Sequence, residues 1–285
     1  MASDVSKRLW ATVLLVFLFG CDEKEESKED PCRDTAQLDL EEISGADLVG
    51  TVTYEEMIKI DDGGKQSKST VLSADFADLS DYDIVTKATP FEHSCVGILG
   101  RPTTTGEPVL LTVESINIES SHIGKTAIEK DANDTYYTGY DGNFYTKAGG
   151  EEITADVTSS GDETMFPGFR ESVSAPSALE NYSAAVSDIG TLVVEWASGE
   201  STYLEVILRS IAESDDDLEN RVRCYFLADD GCFEVPYLAM EWLKSGGAHR
   251  VKVRMERHMS KISTPAQNAI VEIDAVRSIE FNINI

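Results

Sequence analysis

The sequence predicts an all-β protein of two tandem immunoglobulin-like β-sandwich domains, with one short crossover helix in the second. Three observations predict it. Many short runs alternate apolar and polar residues, the period of two that lays one face of a strand on a core. Turn clusters punctuate them at even spacing: Asp61-Asp62-Gly63-Gly64, Asp131 to Asp134, Asp141-Gly142 and Gly149-Gly150. Such residues accept the tight or left-handed backbone that turns need. One segment stands apart, "PYLAMEWLKSGG" (236–247), with helical spacing and helical punctuation.

The N-terminus comes first. Lys7 and Arg8 precede the apolar run Leu9–Phe19, and Gly20-Cys21 ends it. A basic start, a short apolar stretch and a small residue make an export signal. The run is shorter than the roughly 20 residues that a membrane-spanning helix needs. Leu18-Phe19-Gly20-Cys21 resembles the lipobox of bacterial lipoproteins, although Phe19 stands where a small or β-branched residue is usual. The resemblance implies a signal peptide over 1–21 and lipid attachment at Cys21. The alternative is an ordinary signal peptide followed by a chance cysteine.

An acidic tether over 22–33 follows. Asp22 to Asp30 holds six acids, two lysines and no apolar residue. Such a segment buries too little surface to offset chain entropy, so it is expected to be disordered. Asp22 directly after the cysteine resembles an inner-membrane retention signal of some Gram-negative bacteria. That rule varies, and the choice of outer or inner membrane stays open.

The first sandwich is placed over 34–175. Strand character runs through 47–60, 69–76, 95–100, 108–120, 125–130, 143–147 and 151–157. "SAPSALENYS" (174–183) reads as a linker, which sets the boundary. The second sandwich, 176–285, alternates more cleanly. Leu204, Val206 and Leu208 share one face of a strand, with Glu205 and Arg209 opposite. Val251, Val253 and Met255 oppose Arg250, Lys252, Arg254 and Glu256. "TLVVEW" (191–196) is a further strand. "RVRCYFLA" (221–228) and "CFEV" (232–235) read as a hairpin around Gly231. Pro236 opens the helix, Leu238, Trp242 and Leu243 are spaced for its apolar face, and Gly246-Gly247 closes it. Residues 271–283 supply the last strand or two.

Charge excludes some partners. The chain of 285 residues carries a formal net charge of −28. Loss of residues 1–21 removes Lys7, Arg8 and Asp4, leaving 22 basic and 51 acidic residues, net −29. Nucleic acid and anionic lipid surfaces would be repelled. Four cysteines remain beyond Cys21: Cys32, Cys95, Cys224 and Cys232. An even number in an exported protein suggests disulfides. Of the three possible pairings, Cys32–Cys95 with Cys224–Cys232 is preferred, because each pair then lies in one half of the chain.

From about residue 107 onward the chain resembles a group of exported β-sandwich proteins and lipoproteins common in myxobacteria and related bacteria. The resemblance rests on "INIES", then "KTAIEKDANDTYYTGYDGNFYTKAGGEEITADVTSSGDETMFPGF" and "VSAPS". "LVVEWASGESTYLEVIL", "CYFLADDGCFEVPYLAMEWL" and "HRVKVRMER" complete it. It implies fold and location, and no functional residue is carried across.

Catalytic patterns are missing from the sequence: no GxSxG, SxxK or HExxH occurs, and no glycine-rich phosphate loop. His93, His122, His249 and His258 are scattered, and each reads as a surface residue near a strand end. Trp196 and Trp242 lie on apolar faces and read as core. Tyr136, Tyr137, Tyr140 and Tyr145 form either an aromatic strip or cross-strand packing, the second being favoured. No cofactor is expected; calcium is the most reasonable ion to weigh, through Asp131, Asn133, Asp134 and Asp141, since hard oxygen ligands suit it, and an uncoordinated, hydrated acidic loop is the favoured reading. Glu213, Asp215, Asp216 and Asp217 form a second acidic cluster, and neither has EF-hand spacing. The basic strand 250–261 either pairs with acidic strands of its own sheet or docks a partner, the first being favoured.

These readings add up to an envelope lipoprotein held to the membrane by its lipid, not an enzyme, with a structural or adhesive role toward a protein or glycan partner. The rivals are an extracytoplasmic polysaccharide hydrolase using paired acids and a calcium-dependent glycan-binding module.

Overall fold

Alternation in the sequence becomes long strands in the structure. The computed structural model describes residues 48–78, 83–85, 88–90, 95–99, 103–105, 109–130, 136–141, 149–161, 165–187, 190–211, 220–226, 229–245 and 247–285. The signal segment with Cys21, the tether, Cys32, His93, residues 143–147 and the 213–217 acids lie outside the described residues. So do Asp131, Asn133 and Asp134. Among the described residues, no helix is long and apolar enough to cross a membrane.

In chain order the strands are β1 (Leu48–Ile60), β2 (Gln66–Asp78), β3 (Asp83–Val85), β4 (Ala88–Pro90), β5 (Cys95–Leu99), β6 (Thr103–Thr105) and β7 (Val109–Leu110). Then come β8 (Ser115–Ser120), β9 (Gly124–Ile128), β10 (Tyr136–Asp141), β11 (Glu152–Thr158), β12 (Phe169–Ser174) and β13 (Ser183–Val186). The chain ends with β14 (Leu192–Glu195), β15 (Tyr203–Ile211), β16 (Asn220–Phe226), β17 (Cys232–Val235), helix α1 (Tyr237–Lys244), β18 (Arg250–Ala266) and β19 (Ala269–Asn284).

One ten-stranded sheet organises the body, in the order β10-β2-β1-β19-β18-β15-β16-β5-β4, with β7 added on β2. It draws strands from both sides of residue 175. The described residues belong to one compact unit, Cys32–Ile285. The first described strand, β1, pairs in parallel with the last, β19. That contact spans most of the chain, so it forms late in synthesis and carries a high loop-closure cost. β1 and β2 make a hairpin, where Asp61 Oδ1 accepts from the backbone N–H of Gly63 (2.9 Å) and Lys65 (2.8 Å). β18 and β19 make a longer one. Its register slips by one residue between Ser263 and Ala266, where Pro265 lies. Proline has no N–H to give a ladder, so a bulge is where a strand tolerates it.

Smaller layers cover one face of the long sheet. The four-stranded sheet β12-β11-β8-β9 lies over one end, closing a core of Val52, Leu72, Phe76, Ile116, Ile118, Ile153, Phe166 and Val271. The three-stranded sheet β13-β14-β17 and α1 close a second core of Leu192, Val194, Leu204, Val206, Phe233, Met240, Val253 and Ile279. The result is an open, sandwich-like body with two cores on one shared sheet. β3 and β6 pair apart from these layers.

Several expectations hold. Leu204, Val206, Leu208, Val251, Val253 and Met255 are all fully buried. Two local readings need correction. β16 and β17 do not form a hairpin: β16 is flanked by β15 and β5, so no edge is free, and β17 pairs with β14 in the covering layer. In α1 the buried face is Ala239, Met240 and Leu243, while Leu238 is 63% exposed. The helix is rotated so that its smallest residue faces the core, which brings the backbone close to the sheet.

The linker-like segment 174–183 is packed rather than loose. Ala175, Ala178 and Leu179 are buried. Arg257 of β18, 0% exposed, holds the segment down. Its Nη1 donates to the Ser177 carbonyl (3.0 Å), Ser177 Oγ (2.9 Å) and the Ala178 carbonyl (2.7 Å). Nη2 donates to the Ala197 carbonyl (2.6 Å), and Nε donates to Asp229 (2.7 Å). Arg257 faces Arg277 directly across the β18–β19 ladder, and Arg277 faces Glu56 on β1. These three residues form a buried ionic belt between the two apolar cores. Like charges placed opposite one another repel. Asp229 and Glu56, 3.2 Å from Arg277, offset that repulsion.

Candidate functional site

The other face of the same sheet carries the main chemistry. At its centre both faces are buried: Met255 to His258 on β18 and Asp274 to Ser278 on β19 leave little surface to solvent. Alternation puts Arg254, Glu256 and His258 on this second face, opposite the cores. Register puts Glu205 of β15 beside Glu256, and Tyr203 beside His258. Asp274 approaches diagonally from β19.

The cluster is tightly connected. His258 Nδ1 lies 2.7 Å from Asp274 Oδ2, and Nε2 lies 3.4 Å from Glu256 Oε2. The Tyr203 ring stacks on the imidazole with centroids 4.2 Å apart. Arg223 of β16 forks onto both oxygens of Glu205, and Arg254 holds Glu256 and Glu55. Ser278 also donates to Glu55. Among the described residues, His258 Nε2 and Asp274 Oδ1 are buried without a hydrogen-bond partner.

Protonation follows from these neighbours. Burial alone would lower the His258 pKa, but the carboxylates of Asp274 and Glu256 beside the ring outweigh it and raise it to about 10. Burial would raise Glu256, yet His258 and Arg254 hold it below the usual carboxylate range. Glu205 and Glu55 go the other way: burial dominates over Arg223 and over Arg254, and both are raised. Burial, then the Glu205 charge, pushes Tyr225 up to about 12.

Reading the sequence alone places His258 at the surface. Charged residues alternating with apolar ones normally mark a solvated face, but here His258 is buried mid-strand. The site is built off the direct register: Glu205 stands opposite Glu256, Arg223 reaches Glu205 diagonally from β16, and Arg254 reaches Glu256 along β18. The expectation that the basic strand pairs with acids of its own sheet is met by Lys252–Glu280, Arg254–Glu55 and Arg254–Glu256.

Other polar groups line open clefts. Ser120, Ser121, His122, Gly149, Gly150 and Glu151 border one. Ser121 Oγ and Glu151 Oε1 both address His122 Nδ1, at 3.0 and 2.5 Å. A nucleophile–base–acid relay needs its serine and its acid on opposite ring nitrogens. Burial raises Glu151, but Ser121 and His122 outweigh it and lower its pKa. A second cleft holds Asp61, Asp62, Arg250 and Asn282. Hydrogen bonds from Asn282 and Arg250 lower Asp62.

Asp141 ends β10, opposite Ser69. Tyr136 is buried edge-on to Phe76 and Tyr137 is 56% exposed, so these two point to opposite faces of β10; the side chains of Tyr140 and Tyr145 lie outside the described residues. Trp196 lies in the second core and Trp242 packs against it. The preferred disulfide pairing is corrected: Cys95 bonds to Cys224, its direct register partner across β5 and β16. Cys232 is also disulfide-bonded. Strand β5 lies between its sequence neighbour β4 and the distant β16, and local spacing does not reveal the second pairing. Comparison with protein-family models and with curated proteins finds no match.

Proposed function

We propose that the protein is an exported envelope lipoprotein, fastened to the membrane through Cys21, whose acidic body serves a structural or adhesive role rather than catalysis. The Cys95–Cys224 disulfide, buried in the second core, carries this reading. Such bonds persist in oxidising compartments and are rare in a reducing cytosol. The basic and apolar N-terminal run and the acidic tether agree with it. So does the body, which we read as two immunoglobulin-like sandwiches fused along one sheet.

Acid placement supports a non-catalytic role. A glycosidase needs a carboxylic acid of raised pKa facing a sugar cleft. Here the acids raised by burial among the described residues, Glu55, Glu56 and Glu205, each lie against an arginine inside the body. The cleft acids Asp62 and Glu151 shift downward.

A Cys21→Ser variant tests the anchor. In cell fractionation with a labelled fatty acid, the native chain is expected in the envelope fraction carrying label. The variant should lose both. Label-free native protein, or native protein in the cytosol, would overturn the reading.

A further inference from the structure

We propose that Glu205, Glu256 and His258 form a binding site for one divalent transition-metal ion, best suited to zinc, with Asp274 orienting the imidazole.

Each of the three residues offers a donor atom, and these atoms lie within 4.8 Å of one another. All three residues are buried. In a tetrahedral zinc site with bonds of about 2.0–2.1 Å, neighbouring donor atoms stand about 3.3 Å apart. His258 Nε2 and Glu256 Oε2 are 3.4 Å apart, which is already that edge. The same Nε2 has no hydrogen-bond partner among the described residues, although His258 is only 5% exposed. A buried nitrogen that faces a carboxylate at ligand spacing without making a hydrogen bond to it is a donor prepared for an ion.

The other ring nitrogen adds independent support. Asp274 accepts from Nδ1 at 2.7 Å. A carboxylate behind a histidine fixes its tautomer and turns Nε2 toward the metal. Tyr203, stacked on the ring, restrains its tilt.

Charge selects the valence. Glu55, Glu205, Glu256 and Asp274 bring four carboxylates into the cluster, against the guanidiniums of Arg223 and Arg254. With a neutral imidazole, two negative charges are left over, and a dication balances them. Imidazole ligates in its neutral form, so the ion takes the place of the Nε2 proton. Mixed imidazole and carboxylate donors favour zinc and its neighbours over calcium or magnesium. Each carboxylate oxygen has two lone pairs, so Glu205 and Glu256 keep their arginines while binding. Arg223, whose side chain is 35% exposed, marks the approach from solvent.

The test is a zinc titration of the full chain against a chromophoric chelator, with cobalt(II) as a spectroscopic stand-in. One equivalent should bind, with a cobalt visible band of four-coordinate N/O type. Zinc should shift the His258 ring signals in NMR and leave those of His93, His122 and His249 in place. Asp274→Asn should weaken binding by about 10–100-fold, and H258Q should weaken it further. Absence of stoichiometric binding would overturn the proposal. So would binding that leaves the His258 signals unmoved, because that places the ion on the acidic surface. The NMR arm uses native protein, so the proposal stays testable even if H258Q fails to fold.

Discussion

Replacing Arg257 tests how the two cores are joined. Its guanidinium is fully buried, pairs with Asp229 and donates to Ser177, Ala178 and Ala197. Arg257→Met keeps much of the volume and removes the charge, leaving Asp229 buried with only the Trp196 indole N–H, 2.5 Å away. Breaking a buried pair from one side costs about 3–5 kcal/mol. Each carbonyl left dry adds roughly 1–3 kcal/mol. Natural domains hold only about 5–15 kcal/mol in all, so this variant should be mostly unfolded or close to it. Arg257→Lys keeps the charge, but its ammonium lacks the planar fork that spans these acceptors. It should lose about 1–3 kcal/mol. Urea unfolding at neutral pH, followed by tryptophan emission, measures both, since Trp196 bonds to the same Asp229. The expected order is native, Lys, Met. Adding Asp229→Asn to Arg257→Met should recover stability, with a coupling of at least about 1 kcal/mol. A Met variant within about 0.5 kcal/mol of native, or strict additivity with Asp229→Asn, would refute the belt as a joint.

Four further outcomes follow from the same geometry. Gly199→Ala puts a methyl 2.1 Å from Ser177 Oγ and 2.8 Å from Arg257 Nη1; it should cost about 1–3 kcal/mol, and Ser177→Ala should restore part of that in a thermal melt. Opening Cys95–Cys224, which closes a sequence separation of 129 residues, should cost about 5 kcal/mol by chain entropy; non-reducing peptide mapping should find that bridge and, if Cys21 carries lipid, Cys232 joined to Cys32. Burial, against Tyr54 and Arg277, raises Glu56 above its ordinary 4.5; the folded state then holds the proton longer, so this group's contribution to stability falls as pH climbs from about 4.5 through the raised value, and E56Q should flatten that slope in melts across pH. Replacing Glu56 and Arg277 together by leucine should leave stability equal or higher yet split the β1 amide signals in NMR; a single set of signals would refute a role in register.

The parts of the fold that the sequence makes legible are those where one face is wet. Val251, Val253 and Met255 oppose Arg250 and Lys252, and alternation alone places them in the core. The same rule fails at Glu256, Arg257 and His258, where both faces are buried and pattern no longer sorts inside from outside. Long-range pairings are equally silent: nothing near Cys95 points to Cys224, and nothing near Leu48 points to Ala269. The β17 jump depends on β16 having no free edge, which is a property of the finished sheet. Of the candidate site, Glu205 and Glu256 are visible as residues on strands. Their convergence is not, because it depends on the register between β15 and β18.

That register explains why the polar residues sit where they do. An apolar pattern of period two rejects a slip by one residue, which would turn every side chain to the wrong face. It does not reject a slip by two. Moving β1 by two against β19 keeps Val52, Tyr54 and Ile58 on the core face, but sets Arg277 opposite Tyr54 or Ile58 in place of Glu56. Each such state strands a buried charge, at about 3–5 kcal/mol. On the opposite face, a two-residue slip of β15 against β18 separates Glu205 from Glu256 and Tyr203 from His258. The ionic belt and the carboxylate–histidine cluster thus remove, from the two sides of one sheet, the alternatives that hydrophobic burial leaves open. A sheet this wide, closed by a parallel pair between its first and last described strands, has more of those alternatives than a local hairpin does, and its centre is where a slip would disturb the most neighbours.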